Sequence, residues 1–208
     1  MIGSFAPRLV AVLLLAAGLG GCITVLPKTA PVQLYSFGGA DVATTPPKTG
    51  AVDVALAVPS FPRESQGDLI LARTGDEAAY IGGARWVSPA VVLFQEAALR
   101  VFMDQPRGVR LRGPTESFRA KAVLHLSVRE FDVRYARSGA PPTVVLTVVA
   151  RLSDHTAVHD FAEQVIHVER PVKENRVTAI VQGFDAAVDE VLEQTASFTE
   201  ANIQRVTN

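Results

Sequence analysis

The sequence predicts a single domain of mixed α/β class, in which a mixed β-sheet with a C-terminal antiparallel meander is packed by two main helices. Three observations lead to this prediction. Segments with alternating apolar residues, the period of β-strands, recur in both halves of the chain. Two longer segments repeat apolar residues with the period of an α-helix. The links between the last three predicted strands are short, which favours antiparallel neighbours.

Length and composition are those of one globular domain. The chain has 208 residues, of which 48% are apolar, and this is enough for a substantial core. Basic and acidic residues nearly balance, at 20 and 21, and the basic residues are scattered along the chain. A nucleic-acid-binding surface needs clustered Lys and Arg, so nucleic acid is not an expected partner.

The first 22 residues have the layout of a secretory signal peptide. Arg8 supplies one positive charge, an apolar run covers residues 9–17, and small residues precede Cys22. The run is shorter than the roughly 18 to 20 residues that a membrane-spanning helix needs. We therefore expect a cleaved signal peptide over residues 1–21, a tether over 22–31 and the folded domain over 32–205.

The sequence Leu19-Gly20-Gly21-Cys22 resembles the lipobox of bacterial lipoproteins. In such proteins the cysteine thiol receives a diacylglyceryl group, the chain is cut before it, and the new amine is acylated, typically with palmitate. The resemblance implies lipidation of Cys22, whereas the alternative is an incidental thiol after an ordinary signal peptide. Because Ile23 and not Asp follows the cysteine, the sorting rule of enteric bacteria implies the periplasmic face of the outer membrane.

The first half of the domain is predicted to contain four strands and one helix. A loop rich in Gly, Thr and Pro covers residues 38–50, and a turn at 74–76 lets the third and fourth strands pair. Ser88 is the predicted N-cap of the helix and Pro89 its first residue. The predicted strands are 32–37, 51–58, 68–73 and 77–81, and the helix continues to about residue 103.

The second half is predicted to contain the meander and a long helix over residues 176–203. In the strand 122–135 the apolar residues change face, which predicts a bulge near Arg129 and Glu130. The strand 143–152 is apolar at every even position and is predicted to be central and covered on both faces. The strand 161–170 is more polar and suits an edge.

The sequence contains little that indicates catalysis. His155 and His159 are four residues apart beside two aspartates, a spacing that suits zinc on a helix. However, they fall between two predicted strands, and the glutamate of an H-E-x-x-H motif is missing. No G-x-S-x-G, P-loop or G-x-G-x-x-G motif occurs. We therefore expect no enzyme activity, no cofactor and no metal site.

The junction before the first helix is the candidate interaction site. It contains Tyr80, Arg85 and Trp86, and Trp86 is the only tryptophan of the chain. In one reading, Trp86 packs the corner between strand and helix while Arg85 pairs locally. In the other, these residues belong to a surface that contacts a partner, because Trp and Arg are enriched in binding hot spots.

This junction and its surroundings resemble the ABC-type transport auxiliary lipoprotein family, the lipoprotein component of MCE-type intermembrane lipid transport systems. The resemblance covers roughly residues 32 to 200 and implies a non-catalytic role. The implied partner is the periplasmic MCE-domain protein of an ABC transport system, and phospholipid and a second copy of the chain are further candidate partners. The motifs that carry it, besides the lipobox, are Leu34-Tyr35-Ser36-Phe37, Val52-Asp53-Val54 with Pro59, Leu69-Ile70-Leu71-Ala72-Arg73 and Ala84-Arg85-Trp86-Val87-Ser88-Pro89.

Two other functions remain open at this point. One is a structural or assembly lipoprotein of another envelope complex, such as lipopolysaccharide export or a Tol-like assembly. The other is a periplasmic metal-dependent hydrolase that uses His155 and His159.

Overall fold

The structure, a computed structural model, describes residues 31–39, 48–104, 107–114, 118–156 and 159–207. The predicted signal peptide, Cys22 and nearly all of the tether lie outside these residues, as does most of the segment 38–50. From Val32 onward the chain forms one compact unit.

The predicted mixed α/β fold is confirmed, with a mixed sheet of eight strands and two helices. The strands are β1 (Gln33–Tyr35), β2 (Val52–Leu56), β3 (Leu69–Thr74), β4 (Glu77–Trp86), β5 (Val109–Arg112), β6 (Ala122–Tyr135), β7 (Thr143–Asp154) and β8 (Asp160–Pro171). The helices are α1 (Ala90–Asp104) and α2 (Val177–Thr207).

The sheet is organised around β6, its longest strand. Along one edge β6 pairs with β7, and β7 pairs with β8, all antiparallel, so the predicted meander is confirmed. Along its other edge β6 pairs with two short parallel strands, β2 near its start and β3 near its end. β5 extends the sheet beyond β2, while β4 and then β1 extend it beyond β3.

The predicted bulge in β6 is confirmed, because the register with β7 shifts between Val128 and Glu130. Along the sequence, the alternation of apolar residues after the bulge is offset by one residue from that before it. The extra residue of the bulge compensates for this offset, so both sets of side chains point to the same core. Leu124 and Leu126 before the bulge, and Phe131 and Val133 after it, are all at most 3% exposed.

Helix α1 begins one residue later than predicted, so the assignment of Ser88 as N-cap is wrong. The carbonyl of Pro89 accepts the first helical hydrogen bond, from the N–H of Leu93 at 3.1 Å. The N–H groups of Ala90 and Val91, in the first turn of the helix, donate to the backbone carbonyls of Gly67 and Gln66 in the loop before β3. A tertiary contact therefore provides the capping that the sequence pattern assigned to a serine side chain.

Three other sequence predictions need correction. β4 continues to Trp86 instead of ending at residue 81, and β5 was not predicted at all. β7 is central, as predicted, but it is fully covered on one face only. On the other face Val145 is buried while Thr147, Val149 and Arg151 remain partly exposed.

The core lies between the helices and one face of the sheet. Helix α2 contacts β6, β7, β8 and α1, and its apolar residues fill the space above the meander. The approach of α2 to the sheet is close at Gly183, where an added Cβ would lie 3.0 Å from Val144.

Candidate functional site

Trp86 lies inside the core, at the end of β4. Its side chain is 2% exposed. The indole stands edge-on to the rings of Phe37 and Phe184, with centroids 4.9 Å and 5.2 Å away. Phe131 of β6 lies behind them, 6.3 Å from the indole. Edge-to-face contacts between aromatic rings add stability beyond that gained from burying their apolar surface. The ring of Trp86 thus joins β4, β6, α2 and the segment after β1, and this buried position leaves it inaccessible to a partner.

Gly38 locks the segment after β1 against both helices. It has a φ of 62°, which favours glycine, and its N–H donates to Oδ1 of Asp185 in α2 at 2.7 Å. An added Cβ would lie 2.5 Å from the Cβ of Ala97 in α1. The close approach places Phe37 beside Trp86, so this glycine is a requirement of the aromatic cluster.

Arg85 points to the opposite side of the sheet from Trp86. Its Nη1 lies 2.9 Å from Oδ2 of Asp68, and both side chains are 45% exposed. An exposed pair of this kind contributes about 0 to 1 kcal/mol to stability. Arg85 is therefore a surface residue with a local ion pair, available to a contacting molecule.

Tyr80 lies in the first part of β4, away from Trp86. Its side chain is 47% exposed, and its hydroxyl donates to the backbone carbonyl of Glu64 at 3.1 Å. The register of β3 and β4 shifts between this part of β4 and the part that contains Arg85. The structure thus does not gather the three candidate residues into one site.

A second group of polar residues lies on the face of the sheet turned away from the helices. Asp132 of β6 has a side chain only 4% exposed, between Nε of Arg73 at 3.1 Å and Nε of Arg134 at 3.0 Å. Arg73 also reaches Glu64 at 3.2 Å. A buried carboxylate needs such pairing to offset its loss of hydration. The only sequence signal is that polar and apolar residues alternate from Phe131 to Arg134.

Glu130 extends this polar group toward β7 and β8. Its carboxylate accepts hydrogen bonds from Thr147 and Arg134, and these lower the pKa of Glu130. The same contact with Glu130 raises the pKa of the Arg134 guanidinium. Nδ1 of His167 lies 2.7 Å from the Thr147 hydroxyl. Glu130 and Arg134 therefore stay charged at neutral pH and pair with each other.

His125 and Ser153 form a hydrogen-bonded pair of a potential base and a potential nucleophile. The imidazole Nε2 lies 3.0 Å from the serine Oγ, the distance between a base and a nucleophile in hydrolases. Burial lowers the pKa of His125, so the ring is neutral at pH 7. However, Ser153 is 0% exposed, and a substrate carbonyl has no path to its hydroxyl. The pair is a hydrogen bond between a partly buried imidazole and a fully buried serine, and we assign it a structural role.

His155 and His159 lie in the link between β7 and β8. Asp154 closes this link with a hydrogen bond from its N–H to the carbonyl of His159 at 3.0 Å, and its carboxylate accepts bonds from Thr156. Among the described residues, no group of three or more His, Cys, Asp or Glu is arranged to hold a metal ion.

Arg107 is a further charged residue, and no local sequence pattern indicates its burial. Its side chain is 6% exposed, and it lies 2.5 Å from Glu193 and 3.6 Å from Glu200 of α2. Its Nε also donates to the carbonyl of Val101 near the end of α1. Arg107 thereby ties the end of α1 to α2, which is a structural role.

The arrangement as a whole defines a domain held together by core packing and internal ion pairs. In the part of the chain that the structure describes, no helix is long and apolar enough to cross a membrane. The charged residues of each polar cluster pair with one another, and the Ser153 hydroxyl of the Ser–His pair is buried.

Comparison with known proteins identifies the class. A family model described as "ABC-type transport auxiliary lipoprotein component" matches residues 35–196. This is more than half of the chain, and the chain therefore belongs to that family. Membership indicates a lipoprotein associated with a transport system and anchored to a membrane of the cell envelope.

Solved structures share the fold. The crystal structure of protein XCC0632 from Xanthomonas campestris is similar with a TM-score of 0.69 and 22% identity, over 84% of this chain and 99% of that one. A second crystal structure, of an uncharacterized protein, has a TM-score of 0.63 and 14% identity, over 80% and 97% of the two chains. No curated protein matches the sequence.

Proposed function

We propose that this protein is the non-catalytic lipoprotein component of an MCE-type intermembrane lipid transport system. Cys22 anchors it to the periplasmic face of the outer membrane, and its folded domain docks to the periplasmic MCE-domain protein. The observation that carries the proposal is the family match over residues 35–196, which names an ABC-type transport auxiliary lipoprotein.

The lipobox supports the anchor and its location. Leu19-Gly20-Gly21-Cys22 places the single cysteine of the chain at the expected cleavage point. Acylation there by more than one chain gives stable attachment, whereas a single chain holds only marginally. Ile23 at the next position favours the outer membrane.

The polar groups support a role without catalysis. Asp132 is held by two arginines, and Ser153 is enclosed. A catalytic residue must touch its substrate, and these groups touch other parts of the same domain. The domain is therefore suited to binding and positioning within a larger assembly.

The test is co-purification from native membranes. Tagged full-length protein is crosslinked mildly, solubilised gently and analysed by mass spectrometry, with Cys22→Ser as the matched control. We expect an MCE-domain protein, its ATPase and its permease to be recovered with the acylated protein. We expect Cys22→Ser to leave the membrane fraction and to recover much less of these partners.

Three outcomes would contradict the proposal. Recovery of lipopolysaccharide-export or Tol-like components in place of an MCE-domain protein would favour an assembly lipoprotein. Retention of Cys22→Ser in the membrane fraction would contradict the anchor. Stoichiometric zinc in the purified protein would instead support the hydrolase reading of His155 and His159.

A further inference from the structure

The outer face of the corner formed by β1 and β4 carries exposed apolar side chains. Leu34 of β1 lies directly opposite Arg85 of β4 in a parallel pair, so both point to the same face. Val32 and Val87 lie just outside the two strands, two residues before Leu34 and two after Arg85, and the N–H of Val87 continues the pairing by donating to the Tyr35 carbonyl at 2.7 Å. This is the spacing of residues on one face of a strand. Val32, Leu34 and Val87 are 44%, 61% and 57% exposed, and we call these three residues the corner patch.

The described surroundings of the corner patch place an ion pair and two exposed glycines beside it. Arg85, which lies opposite Leu34, is paired with Asp68 at 2.9 Å. Gly82 and Gly83 of β4 are exposed, and added Cβ atoms there would meet no atom within 4 Å. Contiguous exposed apolar residues indicate a contact surface, whereas single ones are ordinary.

The sequence places this patch next to the membrane anchor. Nine residues, 23–31, separate Cys22 from Val32. At about 3.3 Å per residue they span at most about 30 Å. A compact domain of this size is roughly 40 Å across. The tether is thus shorter than the domain is wide, and it ends inside the patch itself.

We propose that the corner patch rests on the surface of the lipid bilayer that holds the acyl anchor, with Leu34 at the level of the headgroups. This inference depends on the lipidation of Cys22 proposed above. The tether holds the patch beside the bilayer at an effective concentration in the millimolar range, so a weak apolar contact suffices. Interfaces of this type combine apolar side chains with arginine at the headgroups.

The contact would orient the domain. β8 is the opposite edge of the sheet from β1, five strand steps away along the order β1, β4, β3, β6, β7, β8. At about 4.8 Å per step this is roughly 24 Å. We infer that the domain contacts the bilayer with its β1 edge, so we expect the β8 edge to be held about this distance from the bilayer surface.

The experiment compares two positions of equal exposure on the two edges. Leu34 is 61% exposed and Val165 of β8 is 62% exposed. Full-length acylated protein carrying Leu34→Cys or Val165→Cys is labelled with an environment-sensitive fluorophore. It is then reconstituted into vesicles of phosphatidylethanolamine and phosphatidylglycerol with a small fraction of doxyl-labelled lipid. Because Cys22 is the only native cysteine and acylation blocks it, each variant has one reactive thiol.

We expect the lipid quencher to reduce emission at position 34 several-fold more than at position 165. Equal quenching at the two positions, with one labelled thiol per chain, overturns the bilayer contact and leaves the anchor intact. Two labelled thiols per chain show that Cys22 is not acylated, which overturns the anchor and the contact together. Unlabelled Leu34→Cys that forms disulfide dimers in the vesicles when an oxidant is added, together with weak quenching of the labelled protein, assigns the patch to a second copy of the chain and also overturns the proposal. Both substitutions should leave the thermal melt unchanged, because both side chains are mostly exposed.

Discussion

The two faces of the sheet are buried by different physical means. Toward the helices, β6 and β7 present apolar side chains such as Leu126, Val133 and Leu146, which are at most 2% exposed. On the other face Asp132 is nearly as buried, at 3%, but it is enclosed by arginines from β3 and β6. Burial on the first face removes apolar surface from water, whereas burial on the second depends on pairing a charge. The first face should therefore tolerate loss of packing poorly, and the second should tolerate loss of charge poorly.

The largest expected effect is on the helix side. Trp86→Ala removes the ring that contacts Phe37 and Phe184, and it should lower the free energy of unfolding by about 3 to 5 kcal/mol. Urea denaturation of the purified protein measures this. The control is Arg85→Ala, which removes an exposed ion pair and should cost at most about 1 kcal/mol. A small loss for Trp86→Ala, comparable to that for Arg85→Ala, would contradict the role of the ring in the core.

The second largest loss of stability is expected where the segment after β1 approaches the helices. Gly38→Ala places a Cβ 2.5 Å from the Cβ of Ala97 at a positive φ, and it should cost about 2 to 3 kcal/mol. Adding Ala97→Gly should relieve the clash but not the backbone strain, so the double variant should lose less stability than the sum of the single ones. Gly82→Ala, where an added Cβ meets no atom within 4 Å, is the control and should change stability by less than about 0.5 kcal/mol. Strict additivity of Gly38→Ala and Ala97→Gly would refute the steric account.

A smaller effect is expected on the charged face. Asp132→Asn keeps the shape of the side chain but removes its charge, leaving Arg73 and Arg134 without their shared partner. Because both arginines are partly exposed, we expect a loss of about 1 to 3 kcal/mol in the unfolding free energy. Asp68→Asn makes the same chemical change at a 45% exposed pair and should cost less than about 1 kcal/mol. If the two variants were equally stable, burial of the carboxylate would not be what makes Asp132 important.

The smallest expected effect is on the pH dependence of stability, and it involves His125. The pKa of His125 is lowered in the folded state by burial and by Arg151, so the unfolded state binds the proton more readily. Its contribution to stability is fully present above the unfolded value of about 6.5 and is lost as the pH falls from there through the lower folded value. His125→Gln should therefore flatten the fall in urea midpoint between about pH 7.5 and 5.5. Parallel pH profiles for the two proteins would contradict this assignment.

The difference between the two faces also explains what the sequence predicts well. Apolar periodicity is local, so the bulge in β6 and the long helix α2 were predictable from neighbouring residues. β5 was missed because it has only four residues, two of them arginines. Its pairing with β2 includes contacts of Arg110 and Arg112 with Asp53, far away in the sequence. The residues of such a strand form no local sequence pattern that identifies it.

The candidate site shows the same limit. The sequence pointed to Tyr80, Arg85 and Trp86 at the strand–helix junction, but it left the direction of Trp86 open. That direction follows from the register of β4 with β1 and β3, which no local pattern reveals. Likewise, Asp132 meets Arg73 only because β3 joins the end of β6 in parallel. Cys22 lies outside the described residues, and its lipidation stays a prediction.

The way the chain enters the domain has a mechanical consequence. A pull on residue 31 that is directed along β1 would load the hydrogen bonds between this three-residue strand and its parallel neighbour β4 in shear. Bonds loaded in shear share the force, whereas bonds that are peeled fail one at a time. Behind them, Phe37 is seated among the core rings and Gly38 is fastened to Asp185. Tension along the N-terminal segment is thus transmitted through β1 and the segment after it to the core of the domain.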